Sequence, residues 1–151
     1  ISLNNIALEY GEAGKQKKKV KMLEDAYEES PNNPTIIFNL AYNIKAEDST
    51  RYKELLEKSI SLDPNNPCHL YDFGCWLRNH SERQRGQDMI DQALHIWDER
   101  FKHGYMKSWD YSWYTSALKS IGEYSKAQEV SESEKKSKIN AFNTDNLTQI
   151  R

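Results

Sequence analysis

A short phrase occurs twice in this chain, as Ser-Pro-Asn-Asn-Pro at residues 30–34 and as Asp-Pro-Asn-Asn-Pro at residues 63–67, and the two copies lie 33 residues apart. Each copy separates two segments whose apolar residues have helical spacing. Proline cannot continue a helix that ends before it, but it is well tolerated in the first turn of the next helix. A period of this length is typical of stacked helical repeats. Such a chain forms a solenoid of helix pairs, which exposes an extended surface rather than a deep reactive cleft.

An apolar stripe with a small residue in its third place recurs four times along the chain. In the second copy, Ile37, Leu40, Ala41 and Ile44 have the i, i+3, i+4, i+7 spacing of one helix face. A small residue at this place allows a neighbouring helix to approach closely. The other three copies are Leu3, Ile6, Ala7 and Tyr10; Leu70, Phe73, Gly74 and Leu77; and Tyr111, Tyr114, Thr115 and Leu118.

Each stripe is followed by a turn and a second amphipathic helix, and glycines at 14 and 122 mark two of these turns. The third of these second helices is predicted to be about two turns longer than the others, because Ile90, Leu94, Trp97 and Phe101 continue one stripe. Local packing explains this extension more simply than a partner-specific ridge does. The pattern predicts eight helices, near 1–13, 16–29, 34–46, 50–62, 67–80, 82–101, 107–120 and 123–139, followed by a polar tail.

The pattern resembles the tetratricopeptide repeat family over about residues 1–140. The resemblance implies an all-α, right-handed helical-repeat solenoid of about four helix-turn-helix pairs. The repeats would span about 1–33, 34–66, 67–106 and 107–140, and residues 141–151 would form a polar C-terminal tail. The matching residues, besides the stripe, are Gly86 and Ala127 in the second helices, Ala26 and Ala93 nearer the ends of those helices, and Pro31 and Pro64.

Some residues depart from the family pattern. Lys19 and Tyr52 stand where the family usually has a small residue in the second helix, so we expect looser or shifted packing there. The fourth second helix has Ser131, Glu134 and Lys135 where apolar or small residues are usual. A terminal repeat needs a polar outer face, and this helix is therefore predicted to be a solvent-facing cap.

Composition and charge exclude several classes of function. The formal net charge of -2 gives no reason to expect a general binder of nucleic acid or anionic membranes. No apolar run is long enough to span a bilayer. Cys68 and Cys75 are seven residues apart, which on one helix separates them by roughly 10 Å, too far for a disulfide. Two unpaired thiols favour a reducing compartment, so we expect a cytoplasmic protein.

No pattern of catalytic or metal-binding residues is present in the sequence. The chain has no phosphate-binding glycine loop, no HExxH, no Cys-x-x-Cys and no nucleophile elbow, and its four histidines do not have metal-ligand spacing. We therefore expect no enzymatic activity, no cofactor and no metal.

The resemblance implies a binding surface on the inner wall of the solenoid, formed by first-helix residues away from the packing stripe. This wall is rich in aromatic residues, which are good anchors for an extended peptide or a short helix. Asn39 would hydrogen-bond the backbone of the ligand through its carboxamide. For Trp109 and Trp113, packing beneath the extended third repeat is an equal alternative. The predicted peptide-binding residues are Asn5, Phe38, Asn39, Tyr42, Tyr71, Asp72, Arg78, Trp109 and Trp113.

One well-known subfamily binds the acidic C-termini of heat-shock chaperones through a clamp of lysine, asparagine and arginine, and this chain does not fit it. The clamp places of the first repeat hold Asn4 and Leu8, and those of the third repeat hold Cys68 and Asp72.

The sequence therefore predicts a protein–protein interaction module with a scaffold or adaptor role, which binds a peptide or helix of a partner protein. Three alternatives stay open. The repeats could be a structural or oligomerising region of a larger polypeptide with residues 97–114 as the contact, or a repeat domain appended to an enzyme. The lysine-rich segment 15–21 could bind RNA, although a solvated helix face is the simpler interpretation. The oligomeric state does not follow from the sequence.

Overall fold

A computed structural model describes the backbone of residues 3–149 and the side chains of residues 11–149. Over these residues the chain forms helices and no β-strand, so the predicted all-α class is confirmed. The predicted stripe residues Leu3, Ile6, Ala7 and Tyr10 and the binding residue Asn5 have side chains outside the described residues. The helices are α1 (Leu3–Glu29), α2 (Pro34–Ile44), α3 (Ser49–Leu62), α4 (Pro67–Arg78), α5 (Arg83–His103), α6 (Asp110–Ser120) and α7 (Tyr124–Gln149).

The first two predicted helices are one continuous helix, α1, so the predicted turn at Gly14 is wrong. The reason is that a glycine alone does not end a helix. It costs about 1 kcal/mol relative to alanine, but without a proline or a capping residue nearby the chain continues. Gly14 has no positive φ, whereas the two glycines that do, Gly104 and Gly122, both lie just after a helix.

The last helix is longer than predicted, because α7 continues to Gln149 through the first part of the predicted polar tail. From residue 123 to 149 the sequence contains neither proline nor glycine, so nothing in it stops the helix. Ala127 and Val130 are its buried residues. The rest of α7 is half-buried or exposed, in agreement with the predicted solvent-facing cap.

The remaining helices lie within a few residues of their predicted positions, and local signals explain their ends. The side chain of Asn33, within the repeated phrase, accepts hydrogen bonds from the backbone N–H groups of Thr35 and Ile36 and so caps α2. Asp48 caps α3 in the same way through the N–H of Arg51. Helix α5 has the predicted extension and ends at Gly104, whose φ of 72° is the left-handed conformation that glycine adopts at helix ends.

The chain divides into two compact units, residues 1–73 and 74–151, with α4 beginning in the first and ending in the second. In the first unit, α2 packs against α1 and α3. The predicted stripe of α2 is buried at all four places, and Leu55 and Leu56 of α3 complete the core beside it. Tyr52 is also fully buried, and its ring meets the ring of Phe73 edge-on at 6.2 Å. A large aromatic side chain therefore fills the place where the resemblance expects a small residue.

In the second unit, α4 and α5 cross in backbone contact. A Cβ atom on Gly86 would lie 2.5 Å from the backbone nitrogen of Arg78, and one on Gly74 would lie 2.7 Å from the carbonyl oxygen of Gly86. The extended part of α5 packs on α6, because the rings of Trp97 and Tyr114 stack at 5.7 Å. Helix α7 packs on α6 and buries Ala127, one of the small residues that the resemblance singles out.

None of the helices over residues 3–149 has both the length and the apolar composition needed to cross a membrane.

Candidate functional site

The exposed side of α2 carries the best-defined surface of the first unit. It consists of Asn39, Tyr42 and Lys45, at successive steps of three residues along one side of the helix, and we call it the Tyr42 surface. The Tyr42 ring is 45% exposed, and the ammonium group of Lys45 lies 4.4 Å from its centroid. The same ammonium lies 3.0 Å from Oδ1 of Asp72. An aromatic ring is thus held in place while much of its surface faces solvent.

The carboxamide of Asn39 is available to a ligand. This side chain is exposed and makes no hydrogen bond within the described part of the chain. Its backbone carbonyl accepts from Nδ2 of Asn43 at 2.7 Å, and Gln16 of α1 donates to the Oδ1 of Asn43 at 3.3 Å. These bonds fix this turn of α2 against α1, so the Asn39 side chain projects from a rigid backbone.

Asp72 is a predicted binding residue that the structure uses inside the first unit instead. It is buried, and its two carboxylate oxygens accept from Lys45 at the C-cap of α2 and from the hydroxyl of Tyr52 of α3, the latter at 2.6 Å. A buried carboxylate with two such donors joins three helices. Asp72 therefore supports the Tyr42 surface from beneath and does not offer a free carboxylate to a ligand.

Phe38 is likewise a predicted binding residue that lies in the core. Only 7% of its surface is exposed, and its ring stacks on the imidazole of His69 with a centroid distance of 4.4 Å. It also contacts the Tyr42 ring, whose centroid is 6.0 Å away. The helical stripe alone could not place Phe38, because this residue borders the buried face and its burial depends on the ring of His69.

His69 and Ser59 form a buried, hydrogen-bonded pair. A catalytic serine–histidine dyad has the same atoms, but here a substrate cannot reach them. Ser59 Oγ lies 2.8 Å from Nδ1 of His69 and 3.3 Å from the carbonyl oxygen of Pro34. Burial lowers the pKa of His69 from 6.5 to about 4, although the charges of Asp63 and Asp72 oppose the shift. Ser59 is fully buried and no substrate can reach its oxygen. The pair therefore serves the packing of α3 against α4.

The remaining predicted residues divide between the two units. Tyr71 is half-buried in the first unit. In the second, Arg78 is exposed and its Nη1 lies 3.4 Å from Oε1 of Gln87, while Trp113 is half-buried on α6. Trp109 is 54% exposed at the start of α6, and the ammonium of Lys107 lies 5.5 Å from its ring centroid. Tyr42 in the first unit and Trp109 in the second are exposed aromatic rings, and each has a lysine ammonium over it.

A buried carboxylate in the second unit was not predicted from the sequence. Asp110 is fully buried and accepts from the indole Nε1 of Trp97 at 3.0 Å, from Arg100 at 3.0 Å and from the backbone nitrogen of Lys107 at 2.9 Å. An acidic residue in the first turn of a helix is common, because it interacts favourably with the helix dipole. That signal is present in the sequence, but it does not reveal the three donors.

A second missed group is the cluster around Asp98 on α5. Its carboxylate accepts from Lys126 and Lys102, and these hydrogen bonds lower its pKa from 3.8 to about 2. Burial raises the pKa of the neighbouring Tyr114 hydroxyl, and its interactions with Lys126 oppose this shift. Two open pockets, of about 360 and 470 Å³, share Asp98, Glu123 and Lys126 in their linings. Because the carboxylate of Asp98 is paired with two ammonium groups, it is not a free anion in either pocket.

Over residues 11–149, no group of three or more His, Cys, Asp or Glu side chains is arranged to hold a metal ion. Cys68 is buried, Cys75 is half-buried, and neither is in a disulfide.

Neither the comparison with protein-family models nor that with curated proteins finds a match to this chain.

Proposed function

We propose that this chain is a tetratricopeptide-like solenoid that acts as a protein–protein interaction module and has no catalytic activity. Two features support the repeat architecture. The stripes of α2 and α4 are buried as the pattern predicts, and α4 crosses α5 at Gly74 and Gly86, where the resemblance expects small residues. Its two cysteines lie on one helix and form no disulfide, which supports a cytoplasmic location.

The observation that carries the binding function is the Tyr42 surface. Asn39 supplies an open carboxamide that can donate to and accept from the backbone of an extended peptide, as one amide does to another. Tyr42 supplies an exposed ring held beneath Lys45, so little conformational entropy is lost when a ligand covers it. Burying the Tyr42 ring contributes roughly 1.5–3 kcal/mol before ordering costs.

The experiment that tests this function compares the partners captured from native lysate by the intact chain and by the double variant Asn39→Ala/Tyr42→Ala. A matched control, Asn65→Ala/Tyr124→Ala, removes an exposed asparagine and an exposed tyrosine elsewhere. Mass spectrometry should find partners that are lost from the first variant and kept by the control. Equal recovery of every partner by the two variants would remove the Tyr42 surface as the binding site.

A second candidate function is a structural or oligomerising role, and α7 carries the observation that favours it. Ile139, Phe142 and Leu147 are exposed on the last turns of this helix, beyond its buried residues. Sedimentation equilibrium across a dilution series would test the role. Association that is lost in the Ile139→Lys/Phe142→Lys variant would support it, and a monomer at high concentration would exclude it.

A further inference from the structure

The connection between α5 and α6, residues 104–109, is a fixed turn rather than a loose loop. At its start Gly104 has the left-handed φ of 72°, and the backbone nitrogen of Tyr105 donates to the carbonyl of Arg100 at 2.8 Å. This closes α5 with a glycine-dependent cap, so the direction in which the chain leaves the helix is determined.

The far end of the same turn is held by Asp110. The carboxylate accepts from the backbone nitrogen of Lys107, and Arg100 and Trp97 hold it in turn from α5. A buried, hydrogen-bonded carboxylate is costly to displace. The turn is therefore attached to α5 at both ends.

This fixed turn presents two large aromatic side chains to solvent. Tyr105 is 73% exposed and Trp109 is 54% exposed, four residues apart. Tyrosine and tryptophan are the residue types most enriched among those that dominate binding energy at protein interfaces. Because the backbone beneath them is already ordered, little conformational entropy of the turn is lost when a partner covers them.

The charges around the turn indicate what kind of partner fits. Lys102 pairs with Asp98 and Glu99, and His103 lies 3.5 Å from Glu99. Among the described residues, no carboxylate lies within ion-pairing distance of Lys107, whose ammonium sits over Trp109. One unpaired cation over an exposed indole ring matches one acidic group beside an apolar one. A nucleic acid strand would need several phosphate contacts, and the turn offers the single unpaired cation of Lys107.

We propose that the 104–109 turn is a binding element for a peptide segment of a partner protein in which an acidic residue adjoins an aromatic or aliphatic one. The acidic group pairs with Lys107, and the apolar side chain packs on Trp109 and Tyr105. The inference rests on the proposed interaction function and adds a second element with its own ligand preference.

The test selects random peptides displayed on phage against the full chain and measures the affinities of the enriched peptides by calorimetry. We expect a class with aspartate or glutamate next to an apolar residue. Trp109→Ala should weaken these peptides at least about tenfold, and Lys107→Glu by about tenfold with loss of their salt dependence. Tyr124→Ala, which removes an exposed tyrosine elsewhere, is the matched control and should change nothing. The side chain of Trp109 is 54% exposed and makes no capping hydrogen bond, so we expect its removal to leave the fold intact.

The outcomes separate this inference from the proposed function. Peptides that depend on Tyr42 but not on Trp109 would support the interaction module and overturn the role of the turn. Trp109-dependent peptides without an acidic residue, or with unchanged affinity in Lys107→Glu, would overturn the ligand class. A single-stranded oligothymidine that binds the full chain in a Trp109-dependent manner would also overturn it. Failure to enrich any peptide would contradict both proposals.

Discussion

At the scale of the residue, the stability of the second unit depends on the buried carboxylate of Asp110. Asp110→Ala removes a fully buried carboxylate and leaves Arg100 and the backbone nitrogen of Lys107 without their acceptor. We expect a loss of about 3 kcal/mol in the free energy of unfolding, because one partner of a buried pair is left unsatisfied. Chemical denaturation measures this. Asp91→Ala, which removes an exposed carboxylate on α5, is the control and should cost less than about 0.5 kcal/mol.

His69 predicts a pH dependence of stability. In the unfolded chain its imidazole titrates near its ordinary pKa of 6.5, whereas burial lowers its pKa in the folded chain to about 4. Between these values the unfolded chain binds a proton that the folded chain does not. The free energy of unfolding therefore falls as the pH falls from 6.5 to 4, by about 3 kcal/mol in total, and His69 has no effect above this window.

The variant His69→Leu isolates this contribution, because Ser59 keeps the carbonyl of Pro34 as its acceptor. Denaturation curves at pH 7, 5.5 and 4 should show a smaller pH slope for the variant than for the intact chain. Equal slopes would mean that His69 is not buried as a neutral imidazole.

At the scale of the residue, the sequence predicts which side chains are exposed better than it predicts which side chains contact one another. Asn39 and Tyr42 follow from the stripe of α2, since residues between stripe positions face away from the core. The burial of Phe38 and Asp72 does not follow, because it depends on His69 of α4 and on Tyr52 of α3. Contacts between separate helices are not encoded in the period of either helix.

At the scale of the element, two glycines with opposite surroundings give a paired prediction. Gly86→Ala would place a Cβ atom against the backbone of α4, so we expect a loss of about 2 kcal/mol or more. Gly14→Ala meets nothing within 4 Å and replaces a glycine inside α1, so we expect a gain of about 0.5–1 kcal/mol and slightly higher helicity. Circular dichroism and chemical denaturation measure both. A destabilising Gly14→Ala would mean that the chain turns at this residue, as its sequence pattern suggests.

Helix positions were predictable where the sequence contains a stop signal and failed where it does not. Proline and asparagine in the repeated phrase mark the ends of α1 and α3 and the starts of α2 and α4. Gly14 has no proline or capping asparagine beside it, and residues 123–149 contain neither proline nor glycine. Helices α1 and α7 are therefore both longer than expected. Whether a single glycine ends a helix depends on its surroundings in the folded chain, and the sequence does not show these.

At the scale of the whole molecule, burial is concentrated in the middle of the chain. Residues 11–19 of α1 are exposed, although Gln16 hydrogen-bonds to Asn43 of α2, and residues 135–149 of α7 are exposed as well. In contrast, α2, α3, α5 and α6 each contribute several fully buried side chains to their own unit. Helical segments that pack against no neighbouring element open first.

This distribution predicts the pattern of amide hydrogen exchange. Amides of residues 135–149 should exchange close to the rate of an unstructured chain, because helices without packing are marginal in water. Amides around Leu40, Leu56 and Ala117 should be protected by several orders of magnitude, since they open only when their unit unfolds. Mass spectrometry at peptide resolution measures both. Strong protection of 135–149 at high concentration that disappears on dilution would show that a second copy covers Ile139 and Phe142, and it would favour the oligomerising role over a monomeric module. Protection that persists at every dilution would contradict the exposed state of α7 itself.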